Sequence, residues 1–368
     1  MKVMHIISGG DSGGAKTHLF NLCKGSSGMF ENIVGCINKG KLFDEANRNG
    51  FDTLLFSQSG RADFNVAKDI KRAIDENDID IVDFHGARPN FIYSIVRNKI
   101  NIPAVTTVHS DFRYDFLNDK LKYIAFTPIN ILSLKKFDNY ICVSDKIKDL
   151  LEHKGFKGCK YVVRNGIDTN VKIEKSRDEI RRDYGISDDA FVYTMVARFH
   201  PVKNHMGFLM AAEKIIREFK DINIMLIGSG AMENELKKKA RQLNIADKVI
   251  FTGQQDNPID YINAGDVNVL TSFSETFPIV ILEGAVAGKS AICSNVGDIE
   301  EILNEDTGFI IDPLSVENIY IQMKKAYVGR EKLKYMGRNL HDIVVSDYSL
   351  NAFCRRYYDC YKNILSGG

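Results

Sequence analysis

The sequence predicts an α/β protein made of two doubly wound parallel sheets in tandem. Two observations carry this. Short β-branched runs alternate with longer stretches of helical apolar period along most of the chain. A polar, charged stretch, GIDTNVKIEKSRDEIRRDYGISDD (166–189), divides that alternation into two sets of similar size.

The first set offers strands at VMHIIS (3–8), NIVGCI (32–37), DTLLF (52–56), IDIVDFH (79–85), AVTTVHS (104–110), NYICVS (139–144) and KYVVRNG (160–166). Helical patterns at 15–25, 65–78 and 146–155 lie between them, as crossovers of a parallel sheet require. The second set offers FVYTMVARF (191–199), INIMLIGSG (222–230), KVIFTG (248–253), DVNVLTS (266–272), KSAICSN (289–295) and TGFIID (307–312), with helices including 205–219, 231–244 and 277–288. The expected domains are 1–165 and 189–348, joined by a linker at 166–188. A helix over 349–365, apolar at spacings near three and four, can pack back on either unit and is placed with the first, as part of 349–368. Sheets of this kind bind ligands at the carboxyl ends of their strands, so a site between the domains is expected.

Composition narrows the function. The 368 residues hold 49 Lys+Arg and 48 Asp+Glu, a net charge of +1, which excludes a dedicated nucleic-acid binder. Through residue 175 there are 26 basic and 21 acidic side chains, so the first half carries +5 and the second −4. Seven scattered cysteines without a C-x-x-C pair fit free thiols in a reducing compartment. The N-terminal apolar run is too short for a signal peptide, and no stretch reaches about 18 uninterrupted apolar residues. A cytoplasmic protein with at most peripheral membrane contact is expected.

The first loop, Gly9 to Gly14, leads into a helix and nearly spells a phosphate-binding P-loop at Gly10 to Thr17. Ala15 stands where that motif needs glycine before its lysine, here Lys16. Asp83, closing IDIVD, offers the matching acidic strand end, so a P-loop ATPase is one alternative. The dinucleotide spacing G-x-G-x-x-G is absent from this loop. Gly13 and Gly14 leave a turn that lets a phosphate or sugar approach the backbone, and equally a plain strand–helix connection.

The second half concentrates the chemistry. Glu275 follows the strand DVNVLTS, and Glu283 comes eight residues later, after PIVIL. Pro278 suits the start of the intervening helix, whose first amides are free for an anion. Arg198 and Lys203 share one loop after a strand, where two cations can clamp a diphosphate. Gly228 and Gly230 form a small-residue turn after another strand. His109 and His85 each end a strand of the first half. Taken singly, the glutamates also read as helix-surface residues, the cations as a solvated loop and the histidines as structural groups.

Together, GGAK at 13–16, T-x-x-H at 106–109, VVRNGID at 162–168, AR-x4-K at 197–203, LIGSG at 226–230, FTG at 251–253 and E-x7-E at 275–283 form an ordered array. This array resembles the family 4 retaining glycosyltransferases, over residues 1 to about 312. The resemblance implies the GT-B fold, two Rossmann-like domains facing across a cleft. It implies a nucleotide-sugar donor, a UDP-sugar by preference, and a glycan or polyprenyl-linked acceptor in capsule, exopolysaccharide or other surface-glycan synthesis.

It also implies roles. Glu275 lies near the hydroxyls of the transferred sugar, and Glu283 at the nucleotide ribose. Arg198 and Lys203 neutralise the diphosphate, and the backbone of Phe277, Pro278 and Ile279 contacts sugar or phosphate. Gly13 and Gly14 sit beside phosphate and acceptor, with Gly228, Gly230 and Gly253 in the donor-binding loops, and His109 lies near the sugar's C6 side. Thr276 and Gly284 depart from the Gly and Ala usual after the two glutamates.

No D-x-D run stands where Mg²⁺ would hold the diphosphate, so a reaction without metal or other cofactor is expected. Besides the ATPase, a non-catalytic GT-B partner subunit is an alternative. Finally, LNDKLKYIAFTPINILSLKKF (117–137) interleaves lysines with apolar residues. It reads as a segment for an anionic membrane surface, or as a core helix with solvated lysines.

Overall fold

A computed structural model describes residues 1–10, 13–56, 65–113 and 120–367, with the side chains of 120–122 excepted. In chain order the first unit runs β1 (Lys2–Ile7), α1 (Gly14–Gly25), β2 (Glu31–Cys36), α2 (Lys41–Arg48), β3 (Thr53–Leu55), α3 (Asn65–Glu76), β4 (Ile81–His85), α4 (Ala87–Val96), β5 (Ala104–Val108), α5 (Lys120–Leu134), β6 (Asn139–Cys142), α6 (Asp145–His153) and β7 (Cys159–Val162). The second runs α7 (Arg177–Asp183), β8 (Phe191–Val196), α8 (His205–Glu218), β9 (Ile222–Ile227), α9 (Glu233–Gln242), β10 (Val249–Gly253), α10 (Pro258–Ala264), β11 (Val267–Leu270), α11 (Ile279–Val286), β12 (Ala291–Ser294), β13 (Gly308–Ile311), α12 (Val316–Val328) and α13 (Leu333–Asp347). The helix α14 (Leu350–Leu365) returns to the first unit, which comprises Met1–Asp168 and Leu350–Gly368.

Both sheets are parallel. The first has the order β3-β2-β1-β4-β5-β6-β7 and the second β10-β9-β8-β11-β12-β13. In each, strand order reverses beside the first strand, and the crevice at that switch point opens at the carboxyl ends of β1 and β4, or of β8 and β11. Helices cover both faces of each sheet, so most strand residues are apolar on either side. In the first sheet Met4, Ile6, Val82 and Phe84 face one core, while Val3, Ile81, Val105 and Ile141 meet Phe353, Tyr357 and Tyr361 of α14 on the other. In the second, Phe191, Tyr193 and Met195 pack toward α8 and α12, and Val192 packs with Ile180 and Ala264.

The stretch expected as a linker is divided. Asp168 closes the first unit, and Thr169–Asp188 belongs to the second. The physical reason is Arg181 of α7, 1% exposed although charged. Its guanidinium donates to Asp266 Oδ2 at 2.9 Å and to the carbonyls of Ala264 (2.9 Å), Asp188 (3.0 Å) and Ala190 (2.9 Å). Arg177 takes the other oxygen of Asp266 at 2.9 Å, and a Ser176–Glu179 capping box starts the helix. A polar composition here marks a buried arginine clamp, not a free tether.

Removing one partner of a buried, hydrogen-bonded pair leaves the other uncompensated. Arg181→Met is therefore expected to cost the second unit about 3–5 kcal/mol, read as a lower melting transition in calorimetry.

Candidate active site

In the second unit, the carboxyl ends of four parallel strands, β8, β9, β10 and β11, carry the candidate residues. After β8 the chain passes Arg198, which is exposed and makes no ion pair among the described residues. It then makes one 3-10 turn at Pro201–Lys203. Asn204 follows with φ +55°, and its side chain accepts the Gly207 N–H (3.1 Å) and donates to Pro313 O (2.8 Å), starting α8.

The loop after β11 is bound to this one. Phe273 N–H donates to Val202 O at 2.8 Å, and Thr271 Oγ lies 3.1 and 3.2 Å from the carbonyls of Lys203 and Asn204. Two residues on, Glu275 Oε1 accepts from Lys203 Nζ at 2.5 Å. Two residues separated by 72 positions thus form one partly buried ion pair.

Phe277 is buried and stacks on Tyr348 with ring centroids 5.2 Å apart, which anchors the turn into α11. Pro278 precedes the helix, so the amides of Ile279 and Val280 have no intrahelical acceptor, and no acidic side chain occupies the first turn. That end is a partial positive charge next to Lys203's loop. Glu283, one turn along α11, forms no ion pair among the described residues, and burial raises its carboxyl to about 7.

The glycines of the next loop have a reason within the chain. A Cβ on Gly228 would lie 2.1 Å from Ala197 O, and one on Gly230 2.4 Å from Phe199 O. Both glycines let the post-β9 turn press on the Arg198 loop, with Phe199 N–H donating to Ser229 O at 2.9 Å. Gly253 O in turn accepts the Gly228 N–H at 2.9 Å. Gly284, where the family pattern has alanine, faces Asn268 of β11, whose Nδ2 would lie 2.5 Å from an added Cβ. That Nδ2 donates to Val280 O at 2.8 Å, so this chain exchanges a methyl group for an amide bracing α11. The sequence reading did not single out Asn268.

Gly13, Gly14 and His109 belong to the first unit. The two glycines are exposed at the start of α1, with no atom within 4 Å of an added Cβ. His109 follows β5 and is partly buried. Its Nε2 lies 2.9 Å from His85 Nδ1, and the His18 ring of α1 meets it edge-on at 4.7 Å. The P-loop alternative fails on geometry. Lys16 is paired with Glu45 of α2 at 2.5 Å, and Asp83 is fully buried in β4, accepting from Thr107 and Tyr361.

His5, His18 and Tyr361 went unnoticed in the sequence. The signal was there: alternate residues of β1, β4 and β5 put His5, Asp83, His85 and Thr107 on one face.

The segment at 117–137 begins outside the described residues. From 123 on, α5 turns Thr127, Asn130 and Ser133 inward and exposes Ile124 (72%) and Leu132 (62%), beside Ile129 and Tyr123. Arg97, Lys99, Lys135 and Lys136 are exposed nearby, and Arg97 Nη1 donates to Lys136 O. No helix among the described residues is long and apolar enough to cross a membrane.

Two family models match the chain: Glycosyltransferase Family 4 over residues 12–171, and Glycosyl transferases group 1 over residues 176–341. N-acetyl-alpha-D-glucosaminyl L-malate synthase of Bacillus anthracis is 24% identical, covering 82% of this chain and 80% of the relative. UDP-Gal:alpha-D-GlcNAc-diphosphoundecaprenol alpha-1,3-galactosyltransferase of Escherichia coli is 25% identical over 78% and 76%. Among solved structures, Anabaena HepE in complex with UDP superposes with a TM-score of 0.84 at 17% identity, covering 99% of this chain and 100% of that one. The fold is GT-B.

Glu283 gives a pH test. Its folded carboxyl titrates near 7 against an ordinary 4.5, so between those values the folded state holds a proton that the unfolded chain has lost. Stability from this group therefore falls as pH rises from about 4.5 to 7 and stays low above. Glu283→Gln should melt several degrees higher than the parent at pH 8 and level with it near pH 4, by differential scanning fluorimetry.

Proposed function

The chain belongs to glycosyltransferase family 4 and is a glycosyltransferase of glycan biosynthesis, and we propose that it moves a sugar from a UDP-sugar, with retention, onto a lipid-linked or glycan acceptor of a cell-surface polysaccharide. The observation that carries this reading is the Lys203–Glu275 pair at the carboxyl edge of β8 and β11, beside the exposed Arg198 and the open start of α11. The UDP bound to HepE and the diphosphoundecaprenol acceptor in the name of the Escherichia coli relative support the donor and the acceptor.

Breaking a sugar–phosphate bond puts negative charge on the leaving diphosphate and positive charge on the anomeric carbon. Arg198, Lys203 and the first amides of α11 are placed to take the first charge without a metal. Lys203 holds Glu275 by an ion pair until the diphosphate draws the ammonium away, leaving the carboxylate to accept from hydroxyls of the transferred sugar. Glu283 accepts from the ribose, and the backbone of Phe277, Pro278 and Ile279 lines sugar and phosphate. In the first unit Gly13 and Gly14 leave room for phosphate or acceptor at the start of α1, and His109 meets the C6 side of the sugar. Gly228, Gly230 and Gly253 shape the loops that hold the donor.

A thermal-shift screen with UDP-, GDP- and ADP-sugars is expected to show stabilisation by a UDP-sugar. Glu275→Ala, Arg198→Ala and Lys203→Ala should each lower kcat/KM about 10²–10³-fold, with activity unchanged by EDTA. Stabilisation by none of these nucleotides would sink the reading.

The acceptor's lipid suggests where the protein works: on the cytoplasmic face of a membrane, through the outward apolar side of α5 and the basic cluster at 97, 99, 135 and 136. Vesicles with phosphatidylglycerol should sediment the protein at low salt, and Ile124→Glu/Leu132→Glu should abolish this. No sedimentation of the parent protein rejects the membrane surface.

A further inference from the structure

β1 and β4 bring two imidazoles and a carboxylate together on one face of the first sheet. His5 stands opposite Asp83 in the parallel register, and His85 follows two residues later on the same side of β4. His5 and Asp83 are fully covered, and His85 is 2% exposed. A buried carboxylate is stable when it is paired with a cation or coordinates a metal. Among the described residues, the basic groups within 4 Å of Asp83 are these two histidines and no lysine or arginine.

The spacing of the three groups is that of a small coordination sphere. His5 Nδ1 lies 3.1 Å from His85 Nε2, and Asp83 Oδ2 lies 3.9 Å from the first and 3.7 Å from the second. A point about 2.1 Å from all three atoms closes that triangle, which is the bond length of zinc to imidazole nitrogen and carboxylate oxygen. Tetrahedral bonds of this length set ligands about 3.3–3.6 Å apart, whereas octahedral bonds set neighbouring ligands about 3.0 Å apart. Two of the three separations here are far wider than the octahedral value, so the frame suits a tetrahedral ion. Its fourth vertex falls to a water molecule or to Tyr361 OH, which donates to Asp83 Oδ2 at 2.8 Å.

The surrounding hydrogen bonds leave the right atoms for an ion. A metal-bound imidazole donates its other N–H to a fixed acceptor. His5 Nε2 lies 2.9 Å from Asn32 Oδ1. Asn32 Nδ2 donates to Ser26 Oγ, which turns the amide oxygen toward His5. His5 therefore carries its proton on Nε2 and presents a lone pair at Nδ1. His85 Nδ1 lies 2.9 Å from His109 Nε2, so His85 can donate there and turn its Nε2 lone pair to the ion. Thr107 Oγ lies 2.9 Å from Asp83 Oδ1, which keeps that oxygen bonded when Oδ2 coordinates.

We propose that His5, Asp83 and His85 hold a structural zinc ion that clamps β1 to β4 inside the first unit. The ion supplies the cation that the buried carboxylate lacks, and it joins strands whose histidines stand 80 residues apart in sequence. Its role is structural, because solvent and substrate do not reach groups covered to this degree. Tyr361 brings α14 over the same face, so the ion enters before that helix docks, and a chelator does not draw it from the folded chain. Zinc and proton exclude each other at this place. Without the ion, His85 Nε2–H donates to His5 Nδ1; with it, the His85 proton sits on Nδ1.

The test uses the full chain. Protein from zinc-supplemented cells is passed through EDTA and gel filtration, and its metal is counted by mass spectrometry. About one equivalent of zinc is expected in the parent, and below about a tenth in His5→Gln and in His85→Gln. Refolding from denaturant with Zn²⁺ should give a melting transition several degrees above that obtained with EDTA, for the parent and for neither variant. Refolding with Co²⁺ should give the strong visible bands of a tetrahedral ion without a thiolate charge-transfer band, which separates this site from the seven cysteines. In ¹⁵N-histidine-labelled protein, long-range ¹H–¹⁵N correlations should place the His85 proton on Nδ1 in the zinc form and on Nε2 in the EDTA form.

A parent chain that holds no zinc after purification and after refolding with Zn²⁺ overturns the proposal. So does an octahedral or thiolate cobalt spectrum, or zinc undiminished in both variants. Should the variants fail to fold, the cobalt spectrum and the His85 proton decide the matter on the parent chain.

Discussion

Thr271 and Phe273 reach from the end of β11 to the main chain at Val202–Asn204, and this crossing of the switch point holds Lys203 against Glu275. Parallel strands make such a crossing available, because every strand in the sheet releases its chain at the same edge. Backbone bonds do not drift as long side chains do, so the charged groups inherit their spacing from the sheet. The Gly228 turn presses on the Arg198 loop, and Asn268 braces α11 from below. A cation, a carboxylate and an uncapped helix end are thereby fixed before any ligand arrives. Preorganisation of that kind makes electrostatic stabilisation effective.

The first unit repeats the strand order and solves a different problem. Its switch-point edge is lined by neutral imidazoles and glycines, and the lysine of its first helix is already paired with Glu45. Its polar groups lie inside the sheet face, satisfied by hydroxyls from α14 and amides from β2 and Asn165. The likeness in topology therefore hides a division: one unit displays charge at its strand ends, and the other pairs its polar groups inside the sheet face.

Much of this was legible in the sequence. The strands were visible because parallel strands are continuous apolar runs, and the positions of Arg198, Lys203, Glu275 and Glu283 after strands could be read directly. Less legible were helices such as α4 and α10, where prolines at Pro89 and Pro258 stand in the first turn and break the periodic signal. Arg181 looked like part of a charged tether, because burial of an arginine depends on carbonyls that the fold brings from 188, 190 and 264. The histidine line was hidden for a similar reason. His5, His85 and His109 are spread over more than 100 residues, and only the pairing of β1 with β4 and of β4 with β5 places them side by side. The family resemblance puts the Gly228 and Gly230 turn among the donor-binding loops, and the structure also gives it a partner in its own backbone.

The return of α14 to the first unit sets an order of events on the ribosome. Tyr357 and Tyr361 complete the hydrogen bonding of His18 and Asp83, yet the whole second unit is synthesised between those groups and the helix that serves them. Until then the nascent first unit leaves one face of its sheet, with Asp83 and His18, open to water while residues 169–349 emerge and fold. Vectorial synthesis starts this unit first and finishes it last.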